Sequence, residues 1–167
     1  NLSITGLSGT AGATDVLLAG SGSVTSSSGN VTFTTNSYSG DNTEIVNAGT
    51  GTVTIQNRTA GTLINVGGAD VLTGSPLTLG VSNAELNRIT AATTKVGSTT
   101  AGNLTVSAPI TTVAATGNLH LQTNGTATVN ASSAVASAAG LFIQTTGGNI
   151  TTNSVISGTN IALDNTN

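Results

Sequence analysis

The chain has few side chains that do chemistry. Among its 167 residues there are one histidine, no cysteine and six carboxylates. The histidine, His120, stands between Leu119 and Leu121 in a run where apolar and polar residues alternate, so it should point away from the two leucines. A single imidazole with no carboxylate or cysteine beside it is a poor metal ligand or general base. We therefore interpret His120 as a surface residue.

Two pairs of charged residues have a spacing that brings their side chains together. Asp41 and Glu44 lie close together in and after a polar loop and, with loop carbonyls, could bind Ca²⁺. The chain lacks the repeated Gly/Asp loops of calcium-binding β-rolls, so this pair is weak support for a metal site. Glu85 and Arg88 are three apart, which indicates a solvated pair on a helix.

The remaining charges do not form a catalytic constellation. Asp70 and Arg58 are isolated in sequence, and the six carboxylates are scattered over the whole chain. Enzymes that cut polysaccharides need acidic and basic side chains clustered on one groove. We therefore predict no catalytic, cofactor-binding or metal site, no cofactor, and a protein that is not an enzyme.

Composition excludes two classes of partner. Only 5% of the residues are charged, the formal net charge is −3, and no basic patch is present. Nucleic-acid binding therefore has no electrostatic basis. No apolar run approaches the roughly 20 residues of a membrane span, so we expect no membrane insertion within this segment.

A repeated sequence motif predicts the strands that carry these side chains. A glycine and a polar residue introduce a short run of alternating apolar and polar residues, which is the pattern of a strand with one buried face. The central inward residues of the first strands, separated mostly by steps of 20 to 24 residues, are Val31, Val53, Leu77, Leu104, Leu119, Leu141 and Ile161. Repetition with this period predicts an all-β, right-handed parallel β-helix of about eight coils, with two or three strands per coil.

An antiparallel sandwich is the alternative fold, because Asn124-Gly125 could form a tight hairpin turn. In a β-helix, by contrast, turn asparagines such as Asn30, Asn103 and Asn118 would form side-chain ladders. The core candidates after Lys95 are Val96, Leu104, Val106, Ile110, Val113, Leu119, Leu121, Val129, Val135, Leu141, Ile143, Ile150, Val155, Ile156, Ile161 and Leu163.

Residues 83–89 break the repeat. Asn83 can cap a helix, Glu85 would lie in its first turn, and Leu86 and Ile89 would share one face. We predict one short helix here. Residues 1–167 form a single segment, and because the pattern stops in the middle of a unit we expect it to belong to a longer repeat protein.

The repeats GNLTVSAPI at Gly102–Ile110 and GNLHLQT at Gly117–Thr123 resemble the repeat regions of filamentous haemagglutinin-like proteins. These are exported adhesins of two-partner secretion systems, with autotransporter relatives. The segment Gly80–Val106 is similar to a unit of long bacterial β-strand-repeat surface proteins. The resemblance implies a secreted, rod-like protein of the bacterial cell surface that serves in attachment or in a matrix.

These expectations lead to a non-enzymatic adhesin stalk or fibre, with host or environmental glycans or proteins, or further copies of the chain, as partners. The alternative is a self-assembling extracellular filament subunit. A minor alternative is an ice-binding solenoid, for which the expected outward threonines are Thr32, Thr34, Thr54, Thr78 and Thr105.

Overall fold

The strands of this protein pair in parallel. The computed structural model describes residues 1–8, 12–40 and 43–166, and the chain is all-β with one four-residue helix and one 3₁₀ turn in that part. Within these ranges every strand pairing is parallel, and the single antiparallel contact is an isolated bridge between Val71 and Thr78. The sandwich alternative is therefore wrong, and Asn124-Gly125 does not connect an antiparallel pair.

The largest sheet in the described ranges has seven strands, one fewer than the predicted number of coils. In spatial order they are β1 (Leu2–Thr5), β4 (Val31–Thr34), β7 (Thr52–Gln56), β11 (Thr93–Gly97), β14 (Asn118–Thr123), β17 (Leu141–Thr145) and β20 (Ile161–Asn165).

Four smaller sheets hold the other strands. A five-stranded sheet contains β18 (Ile150–Thr152), β15 (Ala127–Val129), β12 (Leu104–Val106), β8 (Leu63–Val66) and β9 (Thr78–Val81). Two three-stranded sheets contain β10 (Ile89–Thr90), β6 (Ile45–Asn47) and β3 (Ser23–Thr25), and β13 (Ile110–Thr111), β16 (Val135–Ala136) and β19 (Ile156–Ser157). The last sheet pairs β2 (Val16–Leu18) with β5 (Tyr38–Gly40).

From β11 onward the chain visits three sheets in a repeating order. β14, β15 and β16 follow one another along the chain, and each pairs with the equivalent member of the next three strands, β17, β18 and β19. We call three such successive strands a pass. The register advances by 22 residues from Leu119 to its partner Leu141. Two or three strands per repeat were predicted; β11–β13, β14–β16 and β17–β19 have three each, whereas β7 to β10 are four strands.

Two rows of side chains, buried on the five inner strands, run across the seven-stranded sheet. One row is Leu2, Val31, Val53, Thr94, Leu119, Leu141 and Ile161, and the other is Ile4, Phe33, Ile55, Val96, Leu121, Ile143 and Leu163. The members on the five inner strands are 0 or 1% exposed. Each fully buried aliphatic side chain contributes about 1.5–3 kcal/mol through removal of apolar surface from water.

Two members of the predicted first-strand series are wrong. Leu77 precedes β9 and lies outside any strand, and Leu104 belongs to β12 in the five-stranded sheet, beside Ile64 and Ala127. The position between Val53 and Leu119 is held by Thr94. This explains the irregular steps of the predicted series, because Leu104 occupies the second strand of its pass.

Most core candidates are buried, but some are not. Ile150 and Ile156 are partly buried. Exposed candidates are Val113 (46%), Val155 (71%), Ile161 (46%) and Leu163 (50%). Ile161 and Leu163 continue the buried rows but lie on β20, the last strand of the sheet, where no further strand covers them.

Turn asparagines connect neighbouring passes in a way that differs from the prediction. Their side chains do not stack amide on amide; each Oδ1 accepts a hydrogen bond from a backbone N–H of the next pass. Asn30 accepts from Thr52 at 2.9 Å, Asn103 from Thr126 at 3.0 Å and Asn118 from Gly140 at 2.9 Å.

The segment between β8 and β10 interrupts the regular passes. It contains β9, which pairs parallel to β8, and the helix α1 (Asn83–Leu86). The predicted helix exists but is shorter: Ser82 caps it rather than Asn83, and Ile89 already belongs to β10. Of the predicted outward threonines, Thr78 is buried at 9% exposure.

Candidate functional site

Four of the six carboxylates gather around one short strand, β5. Gly40 N donates to Glu85 Oε1 at 2.9 Å, and Tyr38 N donates to Asp70 Oδ2 at 3.1 Å. Just before the strand, Asn36 N donates to Asp15 Oδ2 at 3.0 Å. The Glu44 carboxylate lies against Gly40, since a Cβ on that glycine would be 2.0 Å from Oε1. Carboxylates that are scattered along the sequence are therefore brought together by the fold. We call this group, Asp15, Glu44, Asp70 and Glu85, the acidic cluster.

The irregular segment after β8 supplies two members of the acidic cluster. Asp70 lies in the loop before β9 and its Oδ1 accepts from Gly80 N at 2.7 Å. Glu85 is fixed by a capping box: its N donates to Ser82 Oγ at 3.2 Å, and Ser82 N donates to Glu85 Oε2 at 2.8 Å. Capping side chains of this kind contribute about 1 kcal/mol. The predicted solvated pair with Arg88 is wrong, because the Glu85 carboxylate is 8% exposed and bonded to backbone N–H groups.

Glu44 is the anomalous member of the acidic cluster. Its side chain is 0% exposed, and neither carboxylate oxygen has a hydrogen-bond partner. A buried charged group without a partner is strongly unfavourable, and a neutral carboxyl there would still need an acceptor for its proton. Asp41, the other residue of the predicted calcium pair, lies outside the described residues.

The local electrostatic potential is negative. Burial, together with Glu85 and Asp15, raises the pKa of Asp70 to about 7, although two backbone N–H groups oppose the shift. Burial and the carboxylates of Glu85 and Glu44 raise the pKa of Tyr38 above its ordinary value. The one ion pair within the described ranges joins Arg58 to Asp15 at 3.6 Å.

A cleft of about 450 Å³ opens onto this site and is lined by Tyr38, Gly67, Asp70, Gly80 and Glu85, among others. In the part of the chain that the structure describes, no three His, Cys, Asp or Glu side chains are arranged as a metal site. The cluster supplies oxygen atoms, negative potential and one phenol. Its chemistry is therefore that of a site for hard cations or for shared protons.

A second site lies on the outer face of the seven-stranded sheet. Lys95, His120 and Phe142 are register neighbours there, and the His120 and Phe142 ring centroids are 4.4 Å apart at an interplanar angle of 31°. A cleft of about 460 Å³ is lined by these two rings, Asn118 and Asn160, among others. We call this the ring cleft. His120 points outward as predicted, but the neighbouring ring half-buries it.

Burial, and then the positive charge of Lys95, lowers the pKa of His120 to about 4. A contact with Gln144 opposes this shift, while Nε2 has no hydrogen-bond partner among the described residues. Lys95 faces the ring from β11, while Phe142 and Gln144 face it from β17. The imidazole is therefore neutral at pH 7.

We expect His120 to destabilise the fold in acid. The unfolded chain binds the proton near pH 6.5 and the folded chain only near pH 4, so stability is lost as pH falls through this window. Urea unfolding of wild type and His120→Gln at pH 7 and pH 4.5 measures the effect. The wild type should lose on the order of 1 kcal/mol more than the variant, after allowance for solvent screening; an equal loss would contradict the assignment.

No family model, no curated protein and no solved structure matches the chain in comparisons with known proteins. Within residues 1–8, 12–40 and 43–166, the structure contains no helix with the length and apolar character needed to span a bilayer.

Proposed function

We propose that the chain is a right-handed parallel β-helix and a non-enzymatic structural segment of an exported bacterial surface protein, where it acts as an adhesin stalk or fibre. The observation that carries this proposal is the seven-stranded parallel sheet, in which equivalent residues of successive passes lie in register. The handedness follows the general preference for right-handed connections between parallel strands.

The proposed role is mechanical. Hydrogen bonds between paired strands run along the direction in which passes stack, so tension along that axis is shared by all bonds between two passes. The two buried rows, with Leu119 and Leu121 at 0% exposure, keep water away from the sheet. Stability then comes mainly from contacts between neighbouring passes, as in other repeat proteins.

Single-molecule stretching between the two ends of the chain tests this role. We expect force peaks separated by increments of about 70 Å, because a pass of 22 residues, the step from Leu119 to Leu141, extends by about 3.3 Å per residue. Leu121→Ala should lower the peaks that involve its pass. Smooth extension without force peaks would contradict the proposed mechanical role.

A filament subunit is the second candidate, favoured by the outermost strands of the large sheet. Leu2 on β1 is 39% exposed, and Ile161 and Leu163 on β20 are 46% and 50% exposed. These strands offer unpaired backbone groups and apolar side chains that a second copy would cover by continuing the two buried rows. Electron microscopy separates the candidates: long regular fibres favour the filament, and isolated short particles favour the stalk.

Direct adhesion to glycans is a further role that the ring cleft supports. Its Phe142 ring offers an apolar surface, and the side chains of Asn118 and Asn160 offer amide groups at its edge. Glycan-array binding that is lost in Phe142→Ala and retained in Val155→Ala, a change at an exposed apolar side chain away from the cleft, would support this role.

A further inference from the structure

Glu44 needs a partner that the described residues do not provide. Its two oxygens are fully buried, and neither makes a hydrogen bond with the described residues. Protonation alone does not solve the problem, because the new O–H group would still lack an acceptor. A species other than the described residues therefore has to satisfy this carboxylate.

Glu85 brings a second carboxylate to the same place. Its Oε1 accepts from Gly40 N at 2.9 Å, while Glu44 Oε1 would be 2.0 Å from a Cβ on the same Gly40. The two carboxylates thus flank one residue of β5. A side chain at position 40 would displace the Glu44 carboxylate from its present position.

The charge balance around β5 favours a cation over a neutral ligand. Arg58 makes an ion pair with Asp15 at 3.6 Å, and in the described part of the chain Glu44, Glu85 and Asp70 form no ion pair with a basic residue. The available ligand atoms are carboxylate oxygens, since the chain has no cysteine and its one histidine, His120, is in β14. Such oxygens suit Ca²⁺, which tolerates irregular geometry, better than Mg²⁺, which demands an octahedron.

We propose that Glu44 and Glu85 bind a calcium ion beside Gly40, and that this ion joins the irregular segment carrying α1 to strand β5. Glu85 reaches the site from α1 and Glu44 from the residue before β6. The bound cation would neutralise the buried charge and connect residues 41 positions apart in the chain.

Tyr38 provides a specific optical probe for this site. It is the only tyrosine and the chain has no tryptophan, so Tb³⁺ emission excited through tyrosine reports only ions close to Tyr38. Tb³⁺ is a close substitute for Ca²⁺ at oxygen sites. We expect Tb³⁺ emission to rise on addition to the wild type, Ca²⁺ to suppress it by competition, and Ca²⁺ to raise Tm.

Glu44→Gln is the decisive variant, because it keeps the shape of the side chain and removes its charge. We expect its Tb³⁺ affinity to fall by about tenfold or more, since the number of charged ligands sets the affinity of such sites. Asp164→Asn is the matched control: it removes one carboxylate from β20, where Asp164 accepts from Gln144 Nε2 at 2.8 Å, and should keep wild-type affinity.

The outcomes are separable even if Glu44→Gln folds poorly, because the Ca²⁺-dependent rise in Tm is measured on the wild type itself. Tyr38→Phe should lose the Tb³⁺ emission and retain the rise in Tm. The proposal is overturned if Ca²⁺ leaves the wild-type Tm unchanged, or if Glu44→Gln and Asp164→Asn bind Tb³⁺ equally well. In that case the partner of Glu44 is a buried water molecule.

Discussion

Replacing Leu121 with alanine is expected to lower the free energy of unfolding by about 3 kcal/mol, in the range for buried leucines. Leu121 is 0% exposed and lies in the buried row between Val96 and Ile143. Neighbouring strands on both sides are fixed by backbone hydrogen bonds, so the cavity cannot collapse easily. Urea unfolding followed by circular dichroism measures the change.

Leu163→Ala is the matched control for this prediction. Leu163 lies in the same row, one strand beyond Ile143, but it is 50% exposed on β20. Its truncation removes fewer buried contacts and should cost less than about 1 kcal/mol. If Leu121→Ala and Leu163→Ala lost the same free energy of unfolding, strand β14 would be no better covered than β20. That result would contradict the parallel stacking of the strands.

Replacing Gly97 with alanine should lower the free energy of unfolding at least as much as Leu121→Ala does. Gly97 ends β11 at a φ of +88°, and a Cβ there would be 2.0 Å from the Gln122 carbonyl oxygen of the neighbouring strand β14. The strand must move or the residue must change conformation, and we expect a loss of about 3–5 kcal/mol from backbone strain plus overpacking.

Gly61→Ala separates strain from crowding. Gly61 has a similar φ of +80°, but nothing lies within 4 Å of a Cβ built on it. This variant should lose only about 1–2 kcal/mol, the cost of the left-handed conformation alone. Thermal or urea unfolding of the two variants in parallel provides the comparison. If both variants lose the same free energy of unfolding, β14 lies farther from Gly97 than the structure indicates.

Local sequence was sufficient to predict many of the strands and their inward faces, although β5 lies in a stretch whose sequence is typical of a polar loop. Alternation in GTVTI and GLFIQ places Val53, Ile55, Leu141 and Ile143 on the buried side, and all four are buried. Parallel pairing also follows from the sequence, because repeated units stacked in register bring like residues together. These features depend only on the period of two along each strand.

Assignment of strands to sheets could not be predicted from local pattern. Leu104 and Leu119 both follow the letters Gly-Asn, yet they lie in β12 and β14, in two different sheets. The Gly-Asn-Leu pattern predicts a strand and its buried face, but it does not predict the position of that strand within a pass. The irregular segment between β8 and β10 also changes the residue spacing between equivalent strands. For this reason the predicted series placed Leu77 and Leu104 in the wrong row.

The acidic cluster was missed for a related reason. Asp15, Glu44, Asp70 and Glu85 are far apart in sequence, and only the register of the passes brings them to β5. One signal was present: Asp70 and Glu85 both lie between β8 and β10, in the segment that interrupts the regular passes. An interruption that carries two of six carboxylates is a feature that stacking alone does not require.

The register of adjacent passes is the claim on which the proposed stalk depends, and engineered disulfides test it directly because the chain has no cysteine. Thr32 and Thr54 are register partners on the outer face of β4 and β7, so their Cα atoms are about 4.8 Å apart and a cysteine pair can form a bond. Thr32 with Gln56 is two residues out of register, at roughly 8 Å, beyond disulfide reach. We predict that mild oxidation crosslinks Thr32→Cys/Thr54→Cys and leaves Thr32→Cys/Gln56→Cys reduced; crosslinking of the second pair without the first would contradict the account.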